Sequence, residues 1–219
     1  MRRSVPFYML MIVVSIILLF IFNLVFGSIS IPVRSIWNIL FTQSCENEIW
    51  RNIVWKSRMP QALISLAAGA GLSISGLQMQ TVFRNPLAGP SVLGISSGAS
   101  LGVAFVILLS GSLAGVALSN MGFVGELALT FGAIVGALSV MAIIVFVSQK
   151  VRGNVTLLII GVMIGYVASA IIGVMKFFSV EEDIRAYVIW GLGSFSRVSG
   201  NQVFFFVLIM AILIPLSFL

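Results

Sequence analysis

Histidine is absent from the 219 residues, and cysteine occurs once, as Cys45. A disulfide within the chain is therefore impossible, and a Cys/His zinc site cannot be assembled. A Ser-His-Asp triad lacks its base. Charge is equally scarce: 8% of residues are Asp, Glu, Lys or Arg, against roughly 25% in an ordinary soluble domain. Six carboxylates serve the whole molecule, three of them in the run Glu181, Glu182, Asp183. No G-x-x-x-x-G-K-[ST] run occurs, so the chain holds no P-loop for ATP. What it has in abundance is apolar surface: 60% of residues are hydrophobic and mean hydropathy is +1.18. Disorder is excluded by that richness, and a soluble globule by the missing charged shell. The fold class is all-α, a polytopic transmembrane helical bundle.

A helix needs about 20 apolar residues to cross the hydrocarbon of a bilayer. Six candidate spans follow, at residues 7–27, 60–82, 92–110, 124–147, 155–177 and 203–219. The first follows Arg2 and Arg3 as a signal peptide would. Its apolar run is too long for a signal h-region and no A-x-A-like site follows, so a retained helix is expected. The second starts at Pro60, a residue suited to the first turn of a helix. Between spans, Ser28 to Met59 forms the longest polar segment. Ile184 to Leu192 is amphipathic and reads as a short interfacial helix. No stretch resembles a soluble domain, so one membrane domain covers residues 1–219. Net charge is +6, yet the basic residues punctuate apolar segments and serve as membrane anchors, not as a nucleic-acid surface.

Charge does not settle orientation. With the N-terminus inside, Arg2, Arg3, Arg84, Lys150 and Arg152 face the cytoplasm. Arg34, Arg51, Lys56, Arg58, Lys176, Arg185 and Arg197 then lie outside or near the outer surface, against the positive-inside bias. Small residues recur every fourth position: Gly94, Gly98, Gly102; Gly161, Gly165, Ser169, Gly173; Gly132, Gly136; and Ala67, Gly71, Ser75. Such ridges share one helix face and let backbones approach. They serve tight packing, or a moving interface or pathway. So many small faces also imply association with further chains.

The richest run extends from Arg58-Met-Pro-Gln61 through Ala68-Gly-Ala-Gly-Leu72, Ser75-Gly76 and Gln80 to Arg84-Asn85-Pro86-Leu87-Ala88-Gly89-Pro90 and Leu93-Gly94-Ile95-Ser96-Ser97-Gly98-Ala99. Asn85-Pro86 ends a helix, because proline disfavours the helical state of the residue before it. Pro90 pre-sets a turn, and Ser91 is placed to cap the third span. The serines after Gly94 carry hydroxyls into the bilayer, where back-bonding to helix carbonyls is the ordinary outcome. With Leu158-Ile-Ile-Gly161 and Trp190-Gly191-Leu192-Gly193-Ser194, this run resembles the FecCD family, the permease subunits of bacterial ATP-driven importers for iron-siderophore complexes, haem and vitamin B12.

The resemblance implies a ten-helix permease subunit, of which this chain would be the first inverted repeat plus one helix, truncated after the sixth span. It implies a second permease subunit, in a homodimer or pseudo-dimer with the translocation pathway along its interface. It implies separate ABC ATPase subunits, which would bind the ATP and Mg that this chain does not, and an extracytoplasmic substrate-binding protein. It implies a multi-pass protein of the bacterial plasma (inner) membrane with a cytoplasmic N-terminus, and no catalysis by this chain. Arg58 matches the first Arg of a family element at the outer mouth that meets carboxylates of the binding protein. The second Arg of that element is Gln61 here, so Lys56 or Arg51 is expected to share the contact. For the pathway wall, Gly165, Ser169 and the element Ile184 to Ser194 are the expected residues. The alternatives are half of a secondary transporter or channel, for which only Glu126 and Lys176 come near the required intramembrane ionisable groups, and a non-transporting assembly factor.

Overall fold

The computed structural model describes residues 5–42, 47–114, 122–151, 153–196, 198 and 200–218. Arg2, Arg3, Cys45, Arg152 and Arg197, named above, lie outside the described residues. Among the described residues every regular element is helical: α1 (Val5–Val25), α2 (Val33–Phe41), α3 (Glu48–Ile53), a π-helical turn (Val54–Arg58), α4 (Met59–Phe83), α5 (Ile95–Ala114), α6 (Gly122–Ser148), α7 (Asn154–Phe177), α8 (Glu181–Gly191) and α9 (Gly200–Leu216).

Among the described residues, four helices are long and apolar enough to cross a membrane: α1, the continuous helix from Glu48 to Phe83, α6 from Val124, and α7. The other two expected spans are shorter apolar helices, at Ile95–Leu109 and Gln202–Leu216. Their outward side chains are exposed and almost wholly apolar, as with Phe7, Leu18, Phe131, Phe146, Val174 and Phe205. A surface of this kind is matched by hydrocarbon and not by water.

Two expectations change. The segment from Ser28 to Met59, expected only as a polar stretch between spans, is largely helical over its described residues, because Ile36 and Ile39 of α2 are buried with Ile31 and with Val54 of the π-helical turn in a small core of their own. Pro60 is not in a first turn, since the helix already began at Glu48. A proline inside a helix removes one i−4 bond and clashes with the carbonyl four residues back, here that of Lys56. The π-helical turn absorbs this: Met59 N–H reaches the Val54 carbonyl, one residue farther than an α-helical bond.

The chain divides into two compact units, residues 1–71 with 194–219, and residues 72–193. In the first, Arg58 ties α4 to the end of α1, and a Cβ on Gly71 of α4 would strike Met210 of α9. In the second, α5, α6, α7 and α8 surround a core of Val103, Ala104, Ile107, Leu108 and Ile172. The interfacial helix expected at Ile184 to Leu192 is α8, which starts three residues earlier. Glu181, Glu182 and Asp183 occupy its first turn, where acidic groups suit the positive end of the helix dipole. Its Ile184, Tyr187 and Trp190 pack on the core.

Candidate functional site

The small-residue ridges resolve into contacts. A Cβ on Gly98 would lie 2.6 Å from the Gly136 carbonyl oxygen and 2.5 Å from Val140 Cγ2. One on Gly102 would meet the Gly132 carbonyl oxygen, and one on Gly136 the Gly98 carbonyl oxygen. α5 and α6 thus touch backbone to backbone. At the start of α5, Gly94 (φ +74°) turns the chain in the left-handed region, and its missing Cβ would fall 2.6 Å from the Gly161 carbonyl oxygen. Only glycine combines that φ with that approach.

The ridge of α7 serves two purposes along its length. Gly161 packs on Leu93, and a Cβ on Gly165 would lie 3.2 Å from Ser97 Oγ. Beyond this point the ridge opens: Ser169 lines a groove, and nothing approaches Gly173 within 4 Å. The expected pathway pair is therefore divided: Gly165 faces a neighbouring helix, whereas Ser169 faces open space. The groove holds about 370 Å³ and is walled by Ser96, Ser97, Ser100, Ser169, Lys176 and Tyr187. Lys176 Nζ sits 4.7 Å from the centre of the Tyr187 ring, within cation–π range. Burial pushes the Tyr187 hydroxyl above the usual phenol range, and its hydrogen bond with Ser100 opposes that rise.

The signature run shapes the connection from α4 to α5. Arg84 takes a left-handed conformation (φ +49°) just past the helix. Asn85 Oδ1 accepts from Leu87 N at 2.9 Å, and Gln80 Nε2 donates to the Pro86 carbonyl at 3.1 Å. Ala88 and Leu93 are buried with Leu158, while Arg84, Pro86 and Leu87 stay exposed. Pro90 precedes turns that end at Gly94. Asn154 Nδ2, from α7, donates to the Phe83 carbonyl at the end of α4, 3.1 Å away. At the other motif, Trp190 is half-buried on the core, Gly193 is left-handed (φ +68°) and Ser194 Oγ is 2.8 Å from Ser196 Oγ.

Arg58 differs from what the resemblance led us to expect. Docking needs a guanidinium open to an incoming carboxylate. Instead Arg58 is 5% exposed. Its Nη1 donates to the Leu24 and Val25 carbonyls at 2.7 and 2.8 Å, and its Nη2 donates to the Ile29 carbonyl. The carbonyls at the end of α1 lack intrahelical donors, and Arg58 supplies them. The burial of the helix face around Val54 carries Arg58 inward; the flanking Lys56 remains exposed. Arg51 is also exposed, 3.6 Å from Glu48. Among the described residues, no group of three or more His, Cys, Asp or Glu is placed to hold a metal ion. Asp183 was not singled out from sequence. It is 8% exposed, its Oδ2 lacks a hydrogen-bond partner, and burial followed by the Glu182 charge holds its carboxyl above the usual range.

The model of the FecCD transport family matches residues 15–219. This chain belongs to the FecCD transport family. It is 34% identical over 191 residues to the vitamin B12 import system permease protein BtuC of Photorhabdus laumondii, spanning 82% of this chain and 54% of that one. It is 35% identical over 172 residues to the hemin transport system permease protein HmuU of Yersinia pestis, spanning 78% and 48%. The "Probable iron chelatin transport system permease protein" of Helicobacter pylori is 41% identical over 149 residues, spanning 67% and 41%. The chain thus spans about half the length of the curated relatives it matches. The solved structure titled "An inward-facing conformation of a putative metal-chelate type ABC transporter" shares the fold, with a TM-score of 0.72 at 24% identity, over 94% of this chain and 59% of that one. Family and helices together make this a multi-pass inner-membrane protein of a transport-permease family.

Proposed function

We propose that this chain is the membrane-spanning part of an importer for metal chelates of the siderophore, haem or cobalamin class. The observation that carries the reading is the family match over residues 15–219, joined to relatives whose names specify vitamin B12, hemin and iron chelatin import. Glycine seams support it physically. Helices that meet through backbone atoms form smooth, rigid walls, and a large polar cargo needs a wide passage more than a tight pocket. The sequence holds no P-loop motif. Work would come from separate ABC ATPase subunits using ATP and Mg, and the pathway would run beside a second permease subunit.

In this reading the N-terminus is cytoplasmic and the segment between α1 and α4 lies on the outer face. An extracytoplasmic binding protein docks there on Lys56 and Arg51, which are exposed, while Arg58 holds the surface in shape from below. Ser169 faces the cargo, and Gly165 keeps α7 against α5. The test is reconstitution of the permease with its ATPase and binding protein in proteoliposomes. ATP hydrolysis should rise when the binding protein carries its chelate, across a panel of ferric siderophores, haem and cobalamin. Hydrolysis indifferent to every member of the panel would refute the assignment.

A further inference from the structure

The groove in the 72–193 unit has features that helix packing does not require. Hydroxyls on helices in lipid normally bond back to a carbonyl one turn earlier. Ser65, Thr81, Thr130 and Ser139 do so, at 2.7–2.9 Å. Among the described residues, Ser96, Ser97 and Ser169 make no such bond, so their hydroxyls remain available to the space they line. Among the described residues, no carboxylate lies within ion-pair reach of Lys176, and the ion pair found is Arg51–Glu48. A lysine that only anchored a helix end would extend toward the membrane surface. This one lines the groove over the Tyr187 ring. Asp183, one turn earlier on α8, is not a wall residue, so no carboxylate of the wall cancels the Lys176 charge.

We propose that this groove is an oxyanion site, in which Lys176 supplies the charge and the serine and Tyr187 hydroxyls orient a carboxylate or phosphate group. An ammonium donates and never accepts, so the wall favours anions over cations and over neutral groups. Hydrogen bonds to a charged partner are roughly twice as strong as neutral ones, and low polarity around the helices strengthens them further. The volume, about 370 Å³, holds one end of a chelate or one headgroup, and falls in the range of ligand sites. Two sources carry this chemistry: a carboxylate on an imported chelate, and the phosphate of a phospholipid. Assigning the oxyanion to a chelate rests on the permease reading; the groove itself does not.

The test is equilibrium dialysis of radiolabelled citrate, ferric citrate and inorganic phosphate against the full chain. It is run in detergent, then in nanodiscs of phosphatidylcholine or phosphatidylglycerol. Lys176→Met keeps the stem and removes the charge; affinity for each bound oxyanion should fall about 10-fold. Lys176→Arg should retain most of it, and Ser169→Ala should cost a few-fold. A neutral ferric trihydroxamate should be indifferent to Lys176→Met. Binding present in detergent and lost in discs of either lipid, both of which carry a phosphate, or lost only in phosphatidylglycerol discs, assigns the site to a lipid phosphate. Binding as strong in both kinds of disc as in detergent assigns it to a soluble anion. Wild-type chain that retains no oxyanion in any medium overturns the site, as do equal affinities in wild type and Lys176→Met. Such a failure would leave chelate-stimulated ATP hydrolysis untouched, so it would not be confused with failure of the permease reading.

Discussion

Replacing Gly98 by alanine tests the backbone seam directly. The new methyl would fall 2.6 Å from the Gly136 carbonyl oxygen and 2.5 Å from Val140 Cγ2, where ordinary contact begins at 3.4 Å. α5 and α6 must therefore part by nearly 1 Å, because the obstruction is a helix backbone and not a flexible side-chain tip. A gap of 0.5–1 Å forfeits a quarter to a half of each dispersion contact it opens, and overpacking of this kind costs about 1–3 kcal/mol. Alanine returns up to about 1 kcal/mol of helix propensity, leaving a net loss of roughly 1–2 kcal/mol. Gly76→Ala is the control: nothing lies within 4 Å of its Cβ position, so propensity acts alone and the variant should be neutral or more stable. Melting temperatures of the detergent-purified chain, followed by far-ultraviolet circular dichroism, read both. Gly98→Ala melting at or above wild type, or both variants shifting the same way, would refute the seam.

Arg58→Ala should lower stability by about 2–4 kcal/mol, since three carbonyls lose a charged donor; Arg58→Lys should recover only part. An unchanged melting temperature for Arg58→Ala would contradict the clip. Asp183 has a raised carboxyl pKa, so its contribution to stability is complete below its ordinary 3.8 and is lost as pH rises through the raised folded value. Asp183→Asn should therefore raise the melting temperature at neutral pH and lose that advantage toward about pH 4; a difference independent of pH would remove titration from the explanation. Lys56→Glu should slow association of the binding protein several-fold at low salt and less at high salt, measured by surface plasmon resonance. Equal rates at both ionic strengths would take Lys56 out of the docking surface.

Membership of the FecCD family was legible because the run from Arg58 to Ala99 combines breakers, caps and small residues whose order composition alone does not produce. The all-α class was legible too, since α1, α6 and α7 are long apolar runs whose length and hydropathy depend on no neighbour. The four-residue spacing of glycines foretold close approach on α5, α6 and α7. It did not say which ridge meets which. Gly98 against Gly136 and Gly94 against Gly161 required the helices to be assembled. Asp183 escaped notice because a run of three acids ordinarily marks a solvated face, and only the seating of α8 on α5 buries one of them.

Arg58 and Lys176 show most clearly where sequence stops. Both are basic residues flanking an apolar run, and local pattern treats them alike, as residues at or near the outer surface. Folding separates them. A π-helical turn forced by Pro60 accompanies a turn inward for Arg58, under the last carbonyls of α1, where its charge becomes structural. The ring of Tyr187 lies beneath Lys176, which among the described residues has no ion-pair partner and stands at the wall of a groove. Sequence by itself fixed the solvent this protein needs, the helices it forms and the family it joins, because apolar length and proline–glycine order act locally. Which charges are spent inside the protein, and which remain available to a ligand, was decided by tertiary structure, because desolvation and hydrogen bonding depend on groups that lie far apart along the chain.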